Sequence, residues 1–287
     1  MQTQSAIPTS PLILTFGATD PVGAIGIQAD LASFAAMGCH GLSVVTSILI
    51  GDTARVEESQ PVEADWVSDQ ARVLLEDMPV AAFKVGAVGD IENVTVIAEI
   101  MSDYPDVPLI LDPFITAIPE QGHESEDLLV AIRELLLPQS TLFLTSAVEL
   151  SRFAETWREP SSEDMLAVDV LHLIEMGCEY VFVTNTPGGA VHEVTNTLFD
   201  ASGVLRQDTW TRMPGSFSGA GSTMSATMAA MMANGVDVPE AVFEAQEFTH
   251  AALTNAHRLG MGKLTPDRYF WAREPDGDAP SDSPSAS

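Results

Sequence analysis

Short, continuous apolar runs alternate with longer amphipathic stretches from residue 12 to residue 184. The first run, Leu12-Ile-Leu-Thr-Phe16, ends in Gly17-Ala18-Thr19-Asp20-Pro21-Val22-Gly23-Ala24. A strand apolar on both faces belongs inside a parallel sheet. Ile27, Leu31 and Phe34 then recur at the spacing of one helical face, and Gly38 sits where a left-handed residue would stop that helix. The same alternation predicts strands at 42–50, 81–85, 108–112, 142–145 and 180–184, with helices at 63–75, 93–101, 127–136 and 165–176. Parallel neighbours need crossovers, so this rhythm predicts an α/β fold, a mostly parallel sheet with helices on both faces. Between 190 and 213 polar and apolar residues alternate, which predicts antiparallel edge strands. The helix after Gly221 carries Met224, Met228 and Met231 as a core stripe. Asp237-Val-Pro-Glu240 reads as a capping box opening a last helix to about residue 259.

With 287 residues and 46% hydrophobic content, the chain can bury one large core. The reading is a lead at 1–10, one domain at 11–273 and an acidic tail at 274–287 with no large apolar residue. Net charge is −29, and only Lys84 and Lys263 are lysines. Such a field repels nucleic acid and anionic membrane, so neither is expected as a partner. It also repels phosphates, so any phosphate site must be built locally. Two cysteines, no apolar run of membrane-span length and no signal-peptide pattern predict a reduced, cytoplasmic protein.

Gly219-Ala220-Gly221-Ser222 is the candidate centre of the chemistry. An irregular loop turns there into a helix rich in Ala and Met, so free N–H groups and the positive helix end converge on one small space. A glycine-loosened helix start packed in a core would read the same way. In an open parallel sheet the ligand crevice lies beyond the carboxyl ends of the strands, where each polar loop of this chain follows a strand. Asp112, last residue of a predicted buried strand, could bridge a metal to phosphate, or equally serve as a turn residue before Pro113. The six histidines lack metal-ligand spacing, and both Gly-x-Ser-x-Gly and the Walker sequence are absent.

The stretch Thr15-Phe-Gly-Ala-Thr-Asp-Pro-Val-Gly-Ala-Ile-Gly-Ile-Gln-Ala-Asp-Leu31 resembles the N-terminal signature of the hydroxymethylpyrimidine and phosphomethylpyrimidine kinases of thiamine synthesis. Similarity continues through Met37-Gly38, Val44-Val45-Thr46, Lys84-Val85-Gly86, Leu111-Asp112-Pro113 and the Gly219 loop, nearly the whole chain apart from its tails. The resemblance implies a ribokinase-like fold, often dimeric, so a homodimer is expected. It implies transfer of the γ-phosphoryl group of ATP, with Mg²⁺, to the hydroxymethyl group of 4-amino-5-hydroxymethyl-2-methylpyrimidine, and in many members to its monophosphate. Carried over by position, the pyrimidine would sit near Ala18, Asp20, Leu49, Gly51, Ala87 and Phe114. Gly219, Ala220 and Gly221 would form the anion hole beside Ser222, while Asp112, Glu149 and Thr184 would serve nucleotide and metal.

The chain departs from the pattern at several of these positions. Ser222 stands where the family usually has Cys and its wider relatives Asp. Gly51 replaces a pyrimidine-reading Gln and is expected to open room for a different ring. The Thr-Pro-Asn-x-x-Glu pattern becomes Thr145-Ser146-Ala147-Val148-Glu149, with no Asn and the Glu out of step, and Thr184 replaces a Lys. Two further readings follow: a ligand-binding pseudokinase, and a kinase for pyridoxal-like hydroxymethyl heterocycles.

Overall fold

The computed structural model describes residues 10–113, 123–156, 162–187 and 189–272. The apolar runs form β1 (Leu12–Thr19), β2 (His40–Gly51), β4 (Ala82–Val85), β5 (Leu109–Leu111), β6 (Leu142–Ser146) and β7 (Tyr180–Thr184). Three strands of more polar composition complete the sheet: β3 (Val56–Pro61), β8 (Glu193–Asp200) and β9 (Gly203–Thr211). The order is β3-β2-β1-β4-β5-β6-β7-β8-β9. From β2 to β7 neighbours pair in parallel, while β3 on one side and β8 and β9 on the other pair antiparallel. The mostly parallel α/β architecture expected from the alternation is therefore the architecture found.

Helices α1 (Gly26–Ala36), α7 (Ala220–Ala233) and α8 (Val238–Thr254) cover one face, packing on Ile13, Ala82, Ile110, Leu142 and Phe182. The other face carries α2 (Ala64–Asp77), α3 (Ile91–Asp103), α4 (His123–Ala131), α5 (Ala147–Phe153) and α6 (Glu163–Glu175) over Leu14, Phe16, Phe83, Val85 and Phe143. Successive strand residues thus alternate between two cores, as the pleat requires. Gly38 has φ +74° just past α1, the left-handed stop expected there. Among the described residues no helix is long and apolar enough to cross a membrane.

Four details differ from the sequence reading. Val56-Glu-Glu-Ser-Gln-Pro61 forms an edge strand although it carries one large apolar residue, because an edge needs no second buried face. The 147–149 segment, to which the sequence pattern assigns no element, is the start of α5, capped by Ser146 at the end of β6. The last helix stops at Thr254, before 259. Finally, α7 has no single methionine stripe: Ser222, Thr223, Ser225, Ala226, Thr227, Met228, Ala229 and Ala230 are all buried, because α1 and α8 flank a helix that also lies on the sheet.

Candidate active site

The chain leaves β1 for β2 on one side and returns to β4 on the other, so a crevice opens beyond the carboxyl ends of β1 and β4. That crevice holds a pocket of about 10 Å³ bordered by Gly17 and Ala18, Gly86 and Ala87, Lys84, Asp112 and Ser222. Leu49, Ile25, Gly26 and Asp30 complete its wall. Ala18, Leu49, Ala87, Asp112 and Ser222, candidates taken from four strand ends and one helix start, therefore meet at one place. The space admits about one water molecule.

The loop after β1 is held by its own polar groups. The Asp20 carboxylate accepts from the amides of Val22 at 3.0 Å, Ala24 at 2.8 Å and Ile25 at 3.0 Å. Gln28 holds the same loop, accepting from the Asp20 amide and donating to Thr19 Oγ1. Asp20 thus shapes the wall with its carboxylate instead of presenting it. Gly26 has φ +62°, and a Cβ there would lie 2.2 Å from the Ala18 carbonyl oxygen, so the motif's glycine is needed for close approach.

Under α1 and α7 the sheet carries buried charge. Thr15 pairs in register with Lys84, so both side chains point toward α1. Lys84 Nζ donates to Asp30 at 2.8 and 3.0 Å, and Thr15 Oγ1 donates to Asp30 at 2.7 Å. Asp112 accepts a 2.6 Å hydrogen bond from Ser225 Oγ. Burial raises the Asp112 carboxyl to about 6 against the attraction of Lys84 and the Ser225 bond, with Glu149 and Asp30 adding repulsion.

At the start of α7, Gly219 is left-handed, with φ +97°. A Cβ there would lie 1.9 Å from the Ala24 carbonyl oxygen, whereas one on Gly221 would meet nothing within 4 Å. Among the described residues the amides of Ala220, Gly221 and Ser222 have no hydrogen-bond acceptor, as a helix start leaves them. The Ser222 hydroxyl likewise has no partner among them, although the residue is buried and borders the pocket.

Two expectations change here. A Cβ at Gly51 would meet the Arg55 carbonyl at 2.7 Å, so Gly51 opens no room: it lets the turn into β3 close. The segment 260–263 docks on that turn, with the Lys263 amide donating to Thr53 at 2.7 Å. Glu149 is also not out of step. Ser146 caps α5 and Glu149 returns its side chain to Ser146, so Ser146-x-x-Glu149 keeps the spacing of Asn-x-x-Glu with Ser in the place of Asn. Thr184 ends β7, its hydroxyl donating to the Thr145 carbonyl at 3.4 Å. Phe114 lies outside the described residues.

Ser225 and Arg268 are not among the residues that the sequence points to, and Asp30 and Lys84 enter there only as parts of motifs. Lys84 had a usable signal: a lysine inside the apolar run Ala82-Phe-Lys-Val85 of a lysine-poor chain needs a buried partner.

The family profile described as phosphomethylpyrimidine kinase matches residues 20–267. The chain belongs to the phosphomethylpyrimidine kinase family. The hydroxymethylpyrimidine/phosphomethylpyrimidine kinase of Salmonella typhimurium is 30% identical over 262 residues, covering 90% of this chain and 97% of that one. The enzyme of the same name from Rhizobium meliloti is 30% identical over 255 residues, with 88% and 94% covered. The fold matches pyridoxal kinase of Bacillus subtilis, solved as an ADP complex, with a TM-score of 0.82 at 23% identity over 93% of this chain and 100% of that one. As a member of this family the chain is a phosphotransferase acting on a hydroxyl group, with a ribokinase-like fold.

Proposed function

We propose that this kinase transfers the γ-phosphoryl group of ATP to the hydroxymethyl group of 4-amino-5-hydroxymethyl-2-methylpyrimidine, and to the corresponding monophosphate. The observation that carries this reading is the start of α7, where among the described residues the amides of Ala220 to Ser222 are unpartnered and Ser222 borders the same pocket as the crests of β1 and β4 at the sheet's switch point. Those amides, at the positive end of α7, suit an incoming phosphoryl group, and little covalent chemistry is then required of the protein. The heterocycle would lie toward Ala18, Leu49 and Ala87, and because the pocket measures about 10 Å³, its binding must widen that wall.

Mg²⁺ supplies charge neutralisation on the phosphates when bound. Asp112 and Glu149 are electrostatic neighbours, and one or two carboxylates with phosphate oxygens suit this ion. Among the described residues no cluster of three or more His, Cys, Asp or Glu could hold a metal unaided, so the nucleotide's oxygens would share the site. Ser222 orients the acceptor alcohol; without a basic partner its hydroxyl is a poor proton acceptor.

That missing partner also favours a second reading, ligand binding without transfer. A coupled assay with ATP, Mg²⁺ and the pyrimidine, its monophosphate or pyridoxal separates the two and identifies the acceptor. Turnover with a pyrimidine supports the kinase reading. Binding by calorimetry with no turnover on any of the three supports the second.

A further inference from the structure

Arg268 lies one residue beyond the stretch that matches the family profile, yet its side chain reaches the two loops that flank the site. Arg268 is 5% exposed, and its guanidinium enters between the loop after β1 and the start of α7. Nη2 donates to the Ala24 carbonyl at 2.6 Å and, more weakly, to the Gly219 carbonyl at 3.5 Å. Nη1 donates to the Gly23 carbonyl at 3.2 Å, and Nε donates to Thr223 Oγ1 at 3.0 Å. Thr223 Oγ1 in turn donates to the Gly219 carbonyl at 2.7 Å. One side chain thus ties the loop that walls the acceptor pocket to the loop that offers free amides. Gly219 could not approach Ala24 so closely with any side chain of its own.

The charge matters as much as the tether. All four acceptors of the guanidinium are uncharged, so among the described residues no carboxylate hydrogen-bonds to it. Burial lowers the guanidinium to about 10, while Asp30 and Asp20 favour its charged form through space, so it remains a cation at neutral pH. In a chain of net charge −29, a buried cation beside unpartnered amides is an investment that packing alone does not explain.

We infer that Arg268 is a positioning residue for phosphoryl transfer, clamping the Gly219 loop against Ala24 and adding positive potential to the amides that receive the transferring group. This rests on the kinase reading above, and the test separates the two. Calorimetry on the full chain with Mg²⁺ would compare ADP alone with ADP plus aluminium fluoride, a mimic of the phosphoryl group in flight. Wild type must bind the mimic complex; failure to bind either ligand overturns the kinase reading and, with it, the role assigned to Arg268. Given wild-type binding, Arg268→Met is expected to weaken the mimic complex about 10- to 100-fold while ADP alone changes less than about threefold. Turnover should fall with kcat rather than with KM for the alcohol.

Arg268→Lys keeps the charge without the planar fork and should fall between wild type and Arg268→Met. Should Arg268→Met not fold, Arg268→Lys carries the test, with the mimic weakened several-fold and ADP unchanged. Added guanidinium should restore part of the turnover of Arg268→Ala. Equal loss for both ligands, or no loss in the folded variant, would show a purely structural residue and overturn the inference.

Discussion

Gly219 and Gly221 are two residues apart in the same motif, and the structure assigns them opposite reasons for lacking a side chain. In Gly219→Ala the backbone must keep φ near +97°, a left-handed conformation that costs a residue with a Cβ about 1–2 kcal/mol. The new methyl would also sit 1.9 Å from the Ala24 carbonyl oxygen and 2.8 Å from its carbon, so backbone must move, adding about 1–3 kcal/mol of overpacking. The sum is about 2–5 kcal/mol, a large part of an ordinary domain's stability. In Gly221→Ala the methyl meets nothing within 4 Å, and the position lies inside α7, where Ala is favoured over Gly by up to about 1 kcal/mol. Stability should therefore hold or rise slightly, by up to about 2–4 °C in melting temperature. Its turnover should nevertheless fall about 10-fold or more, because the methyl occupies the approach to the unpartnered amides. Urea unfolding gives the first comparison and the coupled kinase assay the second. A fully active Gly221→Ala protein, or a Gly219→Ala protein as stable as wild type, would refute this division of roles.

Three further perturbations test neighbouring parts of the site. Lys84→Met leaves Asp30 buried without its cation and should destabilise the fold by about 3–5 kcal/mol in urea unfolding, whereas Lys84→Met with Asp30→Leu should recover much of that loss. In magnesium-free buffer the folded protein holds the Asp112 proton up to pH about 6, while the unfolded chain releases it near the ordinary value of 3.8. Stability from that group is therefore complete below pH 3.8 and is lost as pH rises through about 6, by about 3 kcal/mol in all. Asp112→Asn should remove that slope. Ser222→Cys places a thiol at the positive end of α7, where its pKa falls, and should raise turnover above wild type; Ser222→Ala should lower it.

What could be read in the sequence was whatever is written locally. The run Leu12-Ile-Leu-Thr-Phe16 names a central strand by itself, and glycines beside strand ends mark the rim where the pocket lies. Contacts between distant segments were not legible. Lys84 meets Asp30 across 54 residues, and Arg268 meets Ala24 across 244, so neither partnership leaves a spacing to detect. Gly51 is different: the Arg55 backbone that fills its side-chain space is only four residues away, brought there by a turn into β3 that Asp52 closes by accepting from the Ala54 and Arg55 amides, and β3 is too polar to announce itself as a strand. Ser146 is recognisable only from Glu149, whose side chain returns to its own helix cap.

The most direct test of the account is a crystal structure of this protein with a non-hydrolysable ATP analogue, Mg²⁺ and hydroxymethylpyrimidine. The account predicts the terminal phosphate within hydrogen-bond distance of the amides of Ala220, Gly221 and Ser222, with the alcohol between it and the crest of β1 at Ala18. A terminal phosphate bound away from those amides, or a pyrimidine ring seated outside the crevice between β1 and β4, would contradict it.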